Sequence, residues 1–187
     1  MGLYVHIPFC KTKCPYCDFN TYQGIENLIE PFLPAVTSEI ERWGDSLAHP
    51  AVKSIFFGGG TPSYLPNGYI EKILGSIQAS YQVSPDAEIT IEANPGDLNA
   101  AACAAILAQG VNRLSIGVQS LDNDLLNLLG RRHQASEAME AFESSRQAGF
   151  DNVNLDLMYG LRNQSMGRWR HTCLLYTSPS PRDLSTS

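Results

Sequence analysis

Val52-Lys53-Ser54-Ile55-Phe56-Phe57, running into Gly58-Gly59-Gly60-Thr61-Pro62, is the stretch on which the fold turns. A short run rich in β-branched and aromatic residues reads as a strand, and the glycines stop it. The same pattern recurs on both sides. Upstream, Leu3 to Ile7 is a β-rich run stopped by Pro8; downstream come Glu88 to Ala93 (EITIEA), Arg113 to Val118 (RLSIGV) and Val153 to Leu157 (VNLDL). Between these runs the apolar period changes from strand to helix. Ile25, Leu28, Ile29, Phe32, Leu33, Val36, Ile40 and Trp43 recur at helical spacing, with the regular helix expected to begin near Pro31. Ile70, Ile73, Leu74 and Ile77 mark the next helix. Asn99 can cap an alanine-rich helix that Gly110 ends, and helices are expected over 122–129 and 136–148, with Gly149 as the stop.

Strand–helix alternation of this regularity implies a parallel sheet. The cysteine loop after Ile7, the glycine run, Glu92, Gln119 and Asp156 all fall at or just past strand C-terminal ends. In a barrel those ends share one rim, where sites assemble. The expected fold class is therefore α/β, a partial (β/α) TIM-like barrel truncated after about five βα units, too few to close eight strands. Residues 1–172 read as this core. Residues 173–187 read as a non-native or disordered tail: Thr177 to Ser187 (TSPSPRDLSTS) carries no periodicity, and residues 174–187 resemble translated adapter sequence.

The bulk numbers narrow the function classes. The chain has 187 residues and a net charge of −6, which gives no bulk attraction for nucleic acid or an anionic membrane. No run approaches the roughly 18 apolar residues of a membrane span, and the opening MGLYVHIPFCK has no secretory pattern. Cys10, Cys14 and Cys17 are crowded together, with Cys103 and Cys173 far off, which is a poor disulfide framework. A reducing, cytoplasmic setting is expected, where clustered cysteines bind metal or do redox chemistry.

Cys10-x-x-x-Cys14-x-x-Cys17 can wrap one corner of an iron–sulfur cube and leave one iron open. A zinc site would need a fourth Cys or His; His6 is close but lies in a strand. A four-cysteine cluster would have to recruit Cys103 or Cys173, and Cys103 sits in an apolar helix where a small buried hydrophobe is the better reading. Glycines at 58–60 let backbone approach a ligand closely and offer it N–H and C=O groups; a plain tight turn is the alternative. Glu92 and Asp156 lie in apolar strands, where an unpaired carboxylate is costly, so each needs a salt bridge or a ligand. Arg131 is either a solvated helix-end cation or a bidentate partner for a carboxylate. His133 and His171 carry no assignment.

Taken in order, Tyr4-Val5-His6-Ile7-Pro8-Phe9-Cys10, Cys14-Pro15-Tyr16-Cys17-Asp18-Phe19, Gly58 to Pro62, Glu92-Ala93-Asn94-Pro95, Gly117-Val118-Gln119-Ser120, Leu129-Gly130-Arg131-Arg132-His133 and Asp156 to Leu161 resemble the radical S-adenosylmethionine (SAM) family. The likeness is to the branch holding oxygen-independent coproporphyrinogen III oxidase and the heme chaperone HemW. It spans residues 2 to about 170, with Arg162 standing where a proline is expected. It implies a radical SAM barrel with a [4Fe–4S] cluster on Cys10, Cys14 and Cys17. It implies SAM held by Tyr4, Tyr16, Gly59, Gly60, Thr61, Glu92, Gln119, Arg131 and Asp156. In that picture the glycine turn meets the methionyl amino group, the carboxylates and Gln119 meet the ribose, and Arg131 meets the SAM carboxylate.

The resemblance implies reductive cleavage of SAM and leaves two functions. One is a HemW-like chaperone that binds heme and passes it to acceptor proteins. The other is a coproporphyrinogen III dehydrogenase, an oxidoreductase of porphyrin biosynthesis. The dehydrogenase type carries a further cysteine two positions after the third; Phe19 stands there instead, which favours the chaperone. The implied partners are heme or porphyrin, a heme-acceptor protein and an electron donor such as flavodoxin or ferredoxin, with no nucleic acid.

Overall fold

A computed structural model describes residues 1–177. Its strands are β1 (Gly2–Ile7), β2 (Ala51–Gly59), β3 (Gln82–Ala93), β4 (Arg113–Gln119) and β5 (Asn152–Leu157). Its helices are α1 (Ile29–Ser46), α2 (Tyr69–Ser80), α3 (Ala100–Ala108), α4 (Asn123–Leu128), α5 (Ala135–Ala148) and α6 (Met166–Thr177). All strand pairs are parallel and the order is β1-β2-β3-β4-β5. A doubly wound sheet reverses its order at a switch point; a monotone order belongs to a barrel wall. The expected partial barrel is what forms, with β1 and β5 at the two ends of the sheet.

Alternation along each strand divides the sheet into two faces. Val5, Ile7, Ile55, Phe57, Ile89, Ile91, Leu114, Ile116 and Val118 are buried in one hydrophobic core together with Ile40, Ile73, Ile77, Cys103 and Ala141 of the helices. The intervening residues, among them Tyr4, Phe56, Glu92, Ser115, Asn154 and Asp156, point the other way. That polar face is what a barrel encloses.

Several boundaries differ from expectation. A 3₁₀ turn (Glu26–Leu28) leads into α1, which starts at Ile29, ahead of Pro31. Pro31 is the third helical residue, where the N–H has no intrahelical partner to lose. β3 begins at Gln82, ahead of Glu88, and its register with β2 shifts between Val52 and Ser54. α6 carries no strong periodicity and was not expected. It covers residues 173–177 of the segment read as a tail; residues 178–187 lie outside the described ones. Arg168 ties α6 to Asp122 at 3.3 Å and Asp124 at 2.8 Å. Among the described residues no helix is long and apolar enough to cross a membrane.

Candidate functional site

The loop after β1 is closed at its neck. Cys10 N–H donates to Tyr22 O at 2.9 Å and Tyr22 N–H to Pro8 O at 2.8 Å, so the intervening residues form a pinched-off lobe. Inside it, Cys17 N–H donates to Cys14 O at 3.0 Å, and Lys13 Nζ donates to Thr21 O at 3.0 Å. The lobe folds over the rim of the sheet. Cys10, Cys14 and Cys17 all line a cavity of about 710 Å³ whose other walls come from the ends of β2, β3, β4 and β5. Each sulfur has a polar neighbour: Thr61 Oγ1 donates to Cys10 Sγ (3.7 Å), Arg131 Nη1 donates to Cys14 Sγ (3.5 Å), and Thr21 Oγ1 lies 3.9 Å from Cys17 Sγ.

Tyr16, Gly59, Gly60, Thr61, Glu92, Gln119, Arg131 and Asp156 line the same cavity. Neither Glu92 nor Asp156 has an ion pair among the described residues; the salt-bridge alternative is not what the fold uses. Glu92 accepts the Gly59 N–H at 3.0 Å. Burial pushes its carboxyl above the ordinary range, nearby Asp156 adds to the rise, and the Gly59 bond and His6 oppose it. Asp156 accepts Ser115 Oγ–H at 2.8 Å and Asn154 Nδ2–H at 2.6 Å. Ser115 and Asn154 also line the cavity and were missed in the sequence. The signal was there: they sit two positions from other inward residues on β4 and β5.

The glycine turn works differently from expectation. The N–H of Gly59 goes to Glu92, that of Gly60 to Ile7 O (2.7 Å) and that of Thr61 to Phe9 O (2.8 Å). All are spent within the protein, which leaves a ligand only carbonyl oxygens. The glycines are required by packing. Gly59 has φ +111°, and a Cβ there would lie 2.5 Å from the His6 ring; a Cβ on Gly60 would lie 2.6 Å from Phe9 O.

Arg131 reaches across the rim. It donates to Gly117 O at 2.6 Å, to Cys14 Sγ and to Asn94 Oδ1. It meets no carboxylate, and its Nε is buried without a partner. Asn94, unassigned in the sequence, is thereby a wall residue. Tyr16 is pushed up to about 12, first by burial and then by Cys14, with Arg131 opposing. Its phenol stays protonated and can donate.

Tyr4 is not brought to this cavity. It stacks on Phe56 (centroids 6.2 Å apart) at the sheet end and lines a separate cavity of about 510 Å³ with Phe32, Val36 and Trp43. Its hydroxyl donates to His6 Nδ1 at 3.0 Å, while His6 Nε2–H donates to Asn20 O at 2.8 Å. With both ring nitrogens engaged, His6 offers no metal ligand. Cys103 is wholly buried among the helices, and burial raises its thiol. No three His, Cys, Asp or Glu side chains among the described residues could share one metal ion. A zinc site requires that sharing; a cube does not, because each thiolate takes a different iron. Three thiols with polar neighbours around one cavity, and no fourth cysteine in its wall, fit an open-cornered cluster. The buried, unpaired Arg131 Nε fits an anionic ligand beside it.

A polar site at the C-terminal rim of a partial barrel, opened by three cysteines in one loop, defines a class, and the sequence comparison agrees. The chain belongs to the Radical SAM superfamily, whose match covers residues 4–175. It is 39% identical over 170 residues to the heme chaperone HemW of Bacillus subtilis, and 39% identical over 168 residues to that of Escherichia coli. These alignments cover 90% and 89% of this chain, but 45% and 44% of the relatives. The chain thus spans under half the length of the curated relatives it matches. Among solved structures it resembles coproporphyrinogen III oxidase (HemN) from Escherichia coli, described as a radical SAM enzyme. The TM-score is 0.84 at 31% identity, over 94% of this chain and 41% of that one.

Proposed function

We propose that Cys10, Cys14 and Cys17 hold three irons of a [4Fe–4S] cluster, that SAM fills the remaining cavity, and that the whole protein is a HemW-like heme chaperone. The observation that carries the site is the meeting of the three cysteines with Glu92, Asp156 and Arg131 on one cavity. When bound, the cluster and SAM supply one-electron cleavage of a carbon–sulfur bond. The protein's own residues do the rest. The carbonyls of the glycine turn accept from an ammonium group. Arg131 pairs with a carboxylate. Glu92 and Asp156 accept from ribose hydroxyls, and Gln119 donates and accepts beside them. The pinched lobe holds the three sulfurs on one side of the cavity, and the Tyr16 phenol beside Cys14 can donate to the ligand. Tyr4 supports from the sheet end without touching the ligand. The radical SAM core is read as residues 1–172.

Phe19 in place of a further cysteine, together with the HemW relatives, supports the chaperone. The likeness to coproporphyrinogen III oxidase supports the second reading, a porphyrinogen dehydrogenase. The partners in either case are heme or porphyrin and a cytoplasmic electron donor of the flavodoxin or ferredoxin kind; a heme-acceptor protein belongs to the first. The test is made on the full-length protein after anaerobic assembly. An iron–sulfur absorption band, an EPR spectrum altered by added SAM, and heme binding without coproporphyrinogen turnover are expected. Turnover would select the dehydrogenase. No iron–sulfur band, or a spectrum indifferent to SAM, would overturn both.

A further inference from the structure

The end of β4 is constrained backbone at the cavity wall. Gln119 has φ +67°, a left-handed conformation that non-glycine residues avoid. The register between β4 and β5 breaks between Ile116 and Gln119, so the strand bulges just where Gln119 reaches the cavity wall. Such conformations persist only where the surroundings over-determine them. Here Arg131 Nη2 holds Gly117 O at 2.6 Å, Met158 N–H holds Gln119 O at 2.8 Å, and Ser120 N–H turns back to Val118 O at 2.8 Å.

The remaining bond comes from a residue outside the cavity wall. His133 is 2% exposed, and its Nε2 lies 3.0 Å from Val118 O. A carbonyl only accepts, so Nε2 carries the proton and Nδ1 is a lone pair; Nδ1 is buried without a partner. Burial, with Arg131 adding to it, pushes the imidazole down to about 4, so the ring is neutral near pH 7 and this tautomer persists. The ring stands on a firm base. Immediately after it, Gln134 N–H donates to Glu137 Oε2 (2.7 Å) and Ala135 N–H to Asn123 Oδ1 (2.8 Å), fixing the start of α5 against α4.

We propose that His133 is a positioning residue for Gln119: its N–H bond to the Val118 carbonyl holds the left-handed turn that presents Gln119 to the cavity, so affinity for SAM depends on a side chain that never touches the ligand. The proposal rests on the reading of Gln119 as a SAM contact. A core histidine with no such role would affect stability alone.

The test uses cluster-loaded full-length protein and two replacements. His133→Gln can place an N–H near the position of Nε2, whereas His133→Leu fills the space without a donor. Amide hydrogen exchange of the peptide containing Gln119 and Ser120, measured without SAM, is expected to quicken in the Leu variant and recover in the Gln variant. The SAM Kd is expected to rise about tenfold with Leu and to recover largely with Gln. In a Gln119→Gly background, where glycine adopts the turn freely, His133→Leu should add nothing to the loss of affinity. Should the Leu variant not fold, His133→Asn, whose amide falls short of Val118 O, takes its place. Unchanged exchange, equal loss of affinity with Gln and Leu, or additivity in the Gln119→Gly background would overturn the proposal. Normal SAM affinity in Gln119→Gly alone would instead overturn the assignment of Gln119 to SAM, and the exchange data keep the two failures apart.

Discussion

On one face of the sheet Phe57, Ile91, Leu114 and Ile116 are wholly buried under helices; on the other, the same strands present Glu92, Ser115 and Asp156 to a cavity. One backbone serves both, because successive side chains point in opposite directions. The covered face supplies the driving force, about 1.5–3 kcal/mol for each large side chain taken from water. The open face contributes little of that and carries carboxylates whose burial is unfavourable. Changes on one face should therefore register as stability and changes on the other as ligand binding.

The cysteines give the sharpest version of that contrast. Cys14→Ala should abolish the iron–sulfur absorption band, while Cys103→Ala, on the covered side, should keep it. Loss of the band in both would break the distinction. On the covered face, Phe57→Ala should cost about 3–5 kcal/mol of stability by denaturant titration. A milder loss would mean that the core there collapses to fill the gap.

Acid should separate the faces in another way. Burial above all, then Arg131 and Arg132, pushes the folded His133 imidazole down to about 4 from the ordinary 6.5, while the Val118 carbonyl and Glu137 favour its charged form. The unfolded chain therefore binds a proton that the folded chain refuses. Stability should fall as pH drops from about 6.5 toward 4, by on the order of 3 kcal/mol, and this contribution should be flat above. A His133→Gln variant should lose that acid slope. The smallest expected change is on the open face: Glu92→Gln should weaken SAM binding about tenfold, roughly 1.4 kcal/mol, with little change in denaturation midpoint.

How much of this was legible in the sequence follows the same division. The covered face writes itself as β-branched and aromatic runs, so all the strands were placed, and the polar residues at their C-terminal ends pointed to a barrel. Where that face is interrupted, legibility fails: Pro85 and Asp86 hide the first part of β3, because proline inside a run argues against a strand. α6 has polar and apolar residues without a stripe and left no trace. On the open face, residues with costly chemistry stood out. Glu92, Asp156, Gln119 and Arg131 do meet on one cavity, whereas the small polar Ser115 and Asn154 drew no assignment. Tyr4 stood out for its neighbours in the motif; alternation does send it to the open face, but β1 ends the sheet there and its ring stacks on Phe56, short of the cavity wall. His133 had no assignment, since no local pattern announces a bond to a carbonyl fifteen positions earlier.

The inward commitment of the amides at Gly59, Gly60 and Thr61 has a consequence for discrimination. A run of glycines after a strand often serves as an anion cradle, with hydrogens turned toward phosphate oxygens. This one turns its hydrogens away. A nucleotide seeking such a cradle would meet lone pairs, oxygen against oxygen, while a protonated amine would be welcomed. With its amides engaged, the turn offers a phosphate no donor, a polarity that suits the proposed ligand, an adenosyl compound carrying an amino group.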